Sequence, residues 1–167
     1  MQRLRAQRYW PWLRDACFAV LFFLAFRAYQ QRDAVSGTAP QLSGTDLQGE
    51  QVALADYRGK PVLVYFWATW CGVCKATQPN VDALARELPV LSVASQSGSA
   101  AEVSAYAREH GVASKVVVDT RGALAKRFGV HAFPTLFVID GAGAIRSVEV
   151  GYTTELGLRL RMWLAGS

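Results

Sequence analysis

Cysteine is scarce in this chain, with three among 167 residues. A small secreted scaffold held together by many disulfides is thereby excluded. Histidine and methionine are scarcer still, two of each, so no Met-rich or His-rich tract is present for bulk storage of a soft metal. A closed structural zinc site needs four ligands. Only His110, His131 and Cys17 stand beside the single Cys-x-x-Cys pair, none at a zinc-like spacing. No metal site is expected. Repeats and low-complexity tracts are also missing. No cluster of Lys and Arg interleaved with aromatics marks a nucleic-acid surface. The net charge of +5 sits mostly in residues 1–39, where six Arg face two Asp, so it speaks of membrane topology and not of nucleic acid. With 51% hydrophobic and 19% charged residues, the chain is no disordered polymer.

Long apolar runs are lacking too. The unbroken stretch Ala16 to Phe26 has 11 residues, short for a membrane span. Extended from Tyr9 to Tyr29 it reaches 21 residues, enough for ~30 Å of hydrocarbon at ~1.5 Å per residue. Arg14 and Asp15 fall inside it and must snorkel or sit at headgroup level. Trp10, Trp12 and Tyr29 suit the two interfaces. No small-x-small cleavage site closely follows Phe26, and Cys17 precedes the greasiest part, so it is no lipoprotein cysteine. The segment reads as an uncleaved signal anchor in preference to a cleaved signal peptide, with Cys17 a small embedded hydrophobe. Residues 1–8 form a cytoplasmic tail held by Arg3, Arg5 and Arg8, 9–29 the transmembrane anchor, 30–39 a linker and 40–167 the folded domain.

The informative feature is Cys71-Gly72-Val73-Cys74, placed in WATWCGVCK directly after the apolar run Val62 to Trp67. A strand handing over to a helix puts Cys71 at or near the helix N-terminus, where unpaired N–H groups and the helix dipole favour an anion. A thiol there loses its proton more readily, and the thiolate is the form that attacks disulfides. Cys74, one turn on, can resolve the mixed disulfide. The expected chemistry is thiol–disulfide exchange with other proteins. Gly72 and Val73 offer no side-chain donor to stabilise a thiolate, which biases the pair towards reduction.

Around this pair the chain reads as α/β, three layers about a mixed sheet. LSGTDLQGEQVAL predicts a β-hairpin. Val62 to Trp67, apolar throughout, predicts a central strand. The helix after the cysteines carries Val81, Leu84, Ala85 and Leu88 on one buried stripe, with Pro79 set to kink it. Val90 to Ala94 and Val116 to Val118 read as strands. Ser99 and Glu102 form a capping box for a helix through His110, stopped by Gly111. Thr120 is expected to cap a helix ending before Gly129. Thr135 to Ile139 and Ile145 to Val150 pair around a Gly-rich turn. A last helix carries Leu156, Leu160, Trp163 and Leu164 on one face, with Trp163 read as packing. Phe66 and Trp67 read as core, Trp70 as partly exposed beside the thiols and Lys75 as solvated. His110 suits a helix C-terminus, and His131 stands either near the thiols or on a surface loop.

FWATWCGVCK resembles the active-site stretch of the thioredoxins, and the likeness covers about residues 40–167. Pro79 is similar to the helix-kinking proline of that family. Phe133-Pro134-Thr135 resembles its cis-proline loop. The hairpin, the central insertion of residues 99–118 and the N-terminal anchor resemble the membrane-tethered TlpA-like thioredoxins of bacteria. GYTTELGLRLRMWLA and the WCGVC core look most like the ScsD group, suppressors of copper sensitivity. The resemblance implies a thioredoxin fold with an N-terminal β-hairpin and a central insertion. It implies Cys71 as nucleophile and Cys74 as resolving thiol. Trp70, Gly72, Val73, Phe133, cis-Pro134 and Thr135 would contact substrate. The domain would sit in the periplasm on a single-pass inner-membrane anchor, with no cofactor beyond the Cys71–Cys74 disulfide. Disulfide-bearing client proteins and a membrane electron-donor reductase of the DsbD or ScsB kind would be its partners.

One departure stands out. Thioredoxins keep a buried Asp under the second cysteine as a proton relay, and here Tyr65 takes that place. Other readings remain beside protein-disulfide reduction: a dedicated reductant of apocytochrome c, whose relatives usually carry acidic residues near the site, and a Cu(I)-binding thiol protein. A peroxidase reading lacks the PxxxTxxC stretch that would hold a peroxidatic cysteine.

Overall fold

The computed structural model describes residues 14–18, 20–21 and 37–167. Most of the expected anchor, 9–29, lies outside the described residues. Residues 14–18 and 20–21 are helical and exposed, and the two charges expected in the span, Arg14 and Asp15, pair with each other at 3.2 Å. Among the described residues no helix is long and apolar enough to cross a membrane. Residues 1–32 form one unit and 33–167 another.

The second unit is built on six strands in the order β1-β8-β7-β4-β5-β6. Here β4 is Val62–Trp67, β5 Val90–Ser95, β6 Lys115–Asp119, β7 Thr135–Ile139 and β8 Ala144–Val150. β4, β5 and β6 run parallel, while β7 and β8 run antiparallel to their neighbours. The short β1, Gly37–Thr38, pairs with the start of β8 at the sheet edge. The hairpin of β2 (Ser43–Thr45) and β3 (Gln51–Ala53) forms a separate two-stranded sheet. The α/β, three-layer, mixed-sheet expectation is met, and each foreseen strand lies within one residue of its expected bounds.

The strand β4 shows how the layers arise. Every residue from Val62 to Trp67 is buried. Leu63, Tyr65 and Trp67 face one core with Val81, Leu84, Val103, Leu158 and Met162. Val62, Val64 and Phe66 face the other with Leu42, Val52, Phe128 and Phe137. Alternation along a strand sends neighbours to opposite faces, so one apolar run feeds two cores. The first core lies under α1 (Gly72–Ala85), α2 (Ala100–His110) and α4 (Glu155–Gly166). The second lies under the hairpin and α3 (Ala123–Arg127).

Local sequence explains the helix ends. Ser99 accepts from the Glu102 N–H and Glu102 reaches back to the Ser99 N–H, while Gly111 closes α2 at φ 65°. The left-handed region suits glycine. Two expectations need correction. Thr120 does not cap α3. Gly122, at φ 71°, holds the N-cap, and the buried Asp119 supplies the side chain instead, its Oδ2 accepting the Ala125 N–H at 3.0 Å. Trp163 does not pack: it is 68% exposed, because Leu158 and Met162 already set the sheet-facing side of α4. The helix α1 runs continuously through Pro79 and ends at Ala85, leaving Leu88 just beyond it but still against the core.

Candidate active site

The site forms where β4 ends. Ala68 closes the apolar run, the Cys71 N–H donates to the Ala68 carbonyl at 3.1 Å, and α1 begins at Gly72. Cys71 is therefore the N-cap residue of α1. Its sulfur receives the Cys74 N–H at 3.1 Å. Cys71 and Cys74 are joined as a disulfide, with Cα atoms 5.2 Å apart. Cys71 retains 7% of its surface and Cys74 only 2%, so Cys71 is the more exposed of the two residues.

The loop before β7 faces this pair. The Phe133–Pro134 bond is cis, and the Phe133 carbonyl oxygen lies 3.5 Å from the Cys71 sulfur. The Thr135 hydroxyl donates to the Ala132 carbonyl at 2.7 Å, and the Gly151 N–H donates to the Pro134 carbonyl at 2.9 Å. Pro134 and Thr135 are buried, whereas Gly72 and Val73 are exposed. Trp70 is 62% exposed, donates its indole N–H to the Gln96 carbonyl at 2.9 Å, and meets the Phe133 ring edge-on with centroids 5.8 Å apart. The eight residues singled out in the sequence thus converge on one end of the sheet.

A polar brace holds this end together. The Thr69 N–H donates to the Ser97 hydroxyl, which donates to the Ser95 carbonyl. The Ser95 hydroxyl in turn donates to Asp119. The loops after β4, β5 and β6 are thereby linked in series.

Beneath Cys74 lies Tyr65, fully buried, its hydroxyl 3.4 Å from the Cys74 carbonyl oxygen. Burial pushes its phenol up, and the nearby charge of Asp82 pushes the same way. The group stays neutral across the working pH range and offers no base. Sequence reasoning missed the acid that is buried nearby. Asp82, 6% exposed, sits eight residues after Cys74 in α1 and accepts from the Gln78 side chain at 2.9 Å and the Ala113 N–H at 2.8 Å. The spacing 74, 78, 82 on one helix face was the available signal.

The other candidates lie apart. His131 is exposed, with no hydrogen bond or ring contact to the cysteines. His110 ends α2 and stacks on Tyr106 at 3.9 Å. Lys75 is exposed. Among the described residues no group of three or more His, Cys, Asp or Glu side chains is placed to hold a metal ion.

Known proteins resemble this chain in sequence and fold. A thioredoxin-like protein of Haemophilus influenzae is 34% identical over 139 residues, covering 82% of this chain and 83% of its own length. The thiol-disulfide oxidoreductase ResA of Geobacillus thermodenitrificans is 32% identical over 127 residues, covering 73% of this chain and 72% of its own. The crystal structure of an exposed lipoprotein thioredoxin from Streptococcus pneumoniae superposes with a TM-score of 0.68 at 28% identity, over 75% of this chain and 99% of that one. Residues 35–148 match the AhpC/TSA family. With a cysteine pair disulfide-bonded at a helix N-terminus and relatives of this kind, the chain belongs to the AhpC/TSA family, as a thioredoxin-fold thiol–disulfide oxidoreductase.

Proposed function

We propose that the protein is a membrane-tethered periplasmic oxidoreductase that reduces protein disulfides through Cys71 and Cys74, and that it belongs with the TlpA-like, ScsD-type proteins serving thiol repair under copper stress. The observation that carries the chemistry is the Cys71 sulfur at the N-cap of α1, receiving the Cys74 N–H and facing the Phe133 carbonyl. Backbone N–H groups at a helix start favour a thiolate over a thiol. The exposed lipoprotein relative supports a place outside the cytoplasm. The arginine-flanked apolar segment of residues 9–29 supports the tether. The copper role rests on the ScsD likeness of the WCGVC core and C-terminal segment.

In the reducing direction the Cys71 thiolate attacks one sulfur of a client disulfide. One S–S bond breaks, a mixed disulfide forms, and the departing client thiolate takes a proton. Cys74 gives up its proton and attacks the Cys71 sulfur, releasing the second client thiolate. The client gains two electrons, and the protein is left as the Cys71–Cys74 disulfide. A dithiol partner, proposed to be a membrane reductase, returns two electrons and two protons. Phe133 and Thr135 offer backbone groups to align an extended client segment, cis-Pro134 walls the sulfur, and Trp70, Gly72 and Val73 line the approach. Gly72 and Val73 place no side-chain donor on the thiolate, which favours the reducing direction.

The test is trapping. A Cys74→Ala variant should hold clients as mixed disulfides that mass spectrometry identifies, while Cys71→Ser should form none. Exchange that survives Cys71→Ser would sink the reading. Alkylation in cells checks direction: a pair found mostly oxidised beside an intact reducing system overturns the reductant assignment.

A further inference from the structure

The helix α4 is apolar on two sides. Leu158 and Met162 are buried against the sheet. Leu156, Leu160, Trp163 and Leu164, at i, i+4, i+7 and i+8, fall on the opposite side and stay 77%, 54%, 68% and 56% exposed. Single exposed leucines are ordinary on a soluble protein, but a contiguous apolar strip marks a contact surface. The charges along the helix are already used. Arg159 is shared by Glu87 and Glu155, and Arg161 pairs with Glu149. The strip therefore calls for an apolar counterpart.

Its upstream end adjoins the reactive face. β8 and β4 both run antiparallel to β7, so α1 and α4 start at the same end of the sheet. Between them hangs Tyr152, 58% exposed. The preceding Gly151 N–H donates to the carbonyl of Pro134. From the other side, the Asn80 amide donates to the Thr153 carbonyl at 3.0 Å and lies 3.3 Å from the Tyr152 hydroxyl. Asn80 shares a face of α1 with Val73, two turns earlier. Tyr152 is thus held between the cis-proline loop and α1, three residues before α4 begins at Glu155.

We infer that the outer face of α4 is the far half of the docking surface for exchange, and that the occupant it fits is a folded protein carrying apolar surface beside its reactive disulfide. The inference rests on the exchange function proposed above. Any sulfur that reaches Cys71 arrives at the end of the sheet where α4 begins. A low-mass disulfide touches only the surroundings of Cys71. The strip from residue 156 to 164 adds ~12 Å of helix, a length that only a folded counterpart spans. Alone, the strip and Tyr152 present roughly 650–700 Å², still below the ~800 Å² per partner of a stable dimer. It suits an extension of an existing contact better than a self-sufficient interface with a second copy.

The test uses the full chain in mild detergent, unaltered and as L156S/L160S/W163S. The two probes are oxidised glutathione, added to the reduced chain, and insulin, with dithiothreitol as electron source. The variant should react with oxidised glutathione within twofold of the unaltered rate, and its kcat/KM for insulin should fall about tenfold through KM. An unchanged insulin kcat/KM overturns the inference. If that result comes with loss of a sedimenting dimer, the strip belongs to a second copy. If it comes with loss of binding to phospholipid vesicles, the strip belongs to a bilayer. An equal fall with both probes overturns it too, because the change then acts on Cys71 or on the fold. If circular dichroism shows the triple variant unfolded, L160S alone decides, with about a threefold fall for insulin expected. An unaltered chain that reacts with neither probe sinks the exchange function itself, whereas intact glutathione exchange with insensitive insulin kinetics sinks only the docking role of α4.

Discussion

At the scale of single residues, Tyr65 separates this site from one with an acid beneath the second cysteine. Its phenol is held neutral by burial, with Asp82 adding to the effect, so it neither takes nor gives a proton near neutral pH. Tyr65→Phe should leave the pH profile of mixed-disulfide resolution unchanged between pH 6 and about 9, measured by stopped-flow release of a trapped client. A displaced profile would show that the hydroxyl takes part. Asp140 makes a second case. The Ala144 N–H, followed by Arg146, holds its carboxyl below the usual carboxylate range. A depressed folded-state value stabilises the protein above the unfolded-state value near ~4, and the stabilisation is lost as pH falls through the folded value. Asp140→Asn should therefore lower the urea midpoint at pH 7, and the gap to the unaltered protein should close towards pH 3. Both cysteines, Trp70 and the cis-proline loop were legible in the sequence because each belongs to a contiguous motif. Asp82 was only half legible: the spacing 74, 78, 82 puts it on the helix face of Cys74, but its second partner, the Ala113 N–H, comes from a distant loop that no local pattern announces.

Elements carry a different kind of information. The helix α2 was legible at both ends, since a capping box and a stop glycine are local chemistry. Ser99→Ala should cost about 1 kcal/mol in urea unfolding. The helix α3 was misread at its start because a residue outside it, Asp119, does the capping. Periodicity likewise put Leu156, Leu160, Trp163 and Leu164 on one face of α4 but could not say which way that face turns. Leu158 and Met162 occupy the inner side, and only the assembled sheet reveals it. The hairpin depends on a close approach that sequence does not announce. A Cβ on Gly44 would lie 2.5 Å from Val117 Cγ1 on a buried, branched side chain. Gly44→Ala should destabilise the protein by about 1–3 kcal/mol, read as a lower urea midpoint, with amide exchange rising first in β2 and β3. An unchanged midpoint would mean that the hairpin moves freely off β6.

Across the whole molecule, stability and reactivity draw on the same sheet. The core under α1, α2 and α4 includes the two cysteines themselves together with Tyr65, Trp67, Val81 and Leu84. Leu84 is fully buried, and Leu84→Ala should cost about 2–5 kcal/mol without altering the exchange rate per folded molecule. That separation is checked by measuring oxidised-glutathione exchange well below the denaturation midpoint. A large loss of exchange in the folded variant would show that core packing and the geometry at Cys71 are coupled.

The alternation of β4 has an evolutionary and engineering consequence. Its odd-numbered side chains serve one layer and its even-numbered ones the other. Adding or removing a single amino acid between Val62 and Trp67 would swap the two sets and invert the direction in which the strand hands over to Cys71. Length changes in related or engineered chains should therefore gather in turns such as residues 47–49 and spare this strand, where the reading frame of the fold is kept.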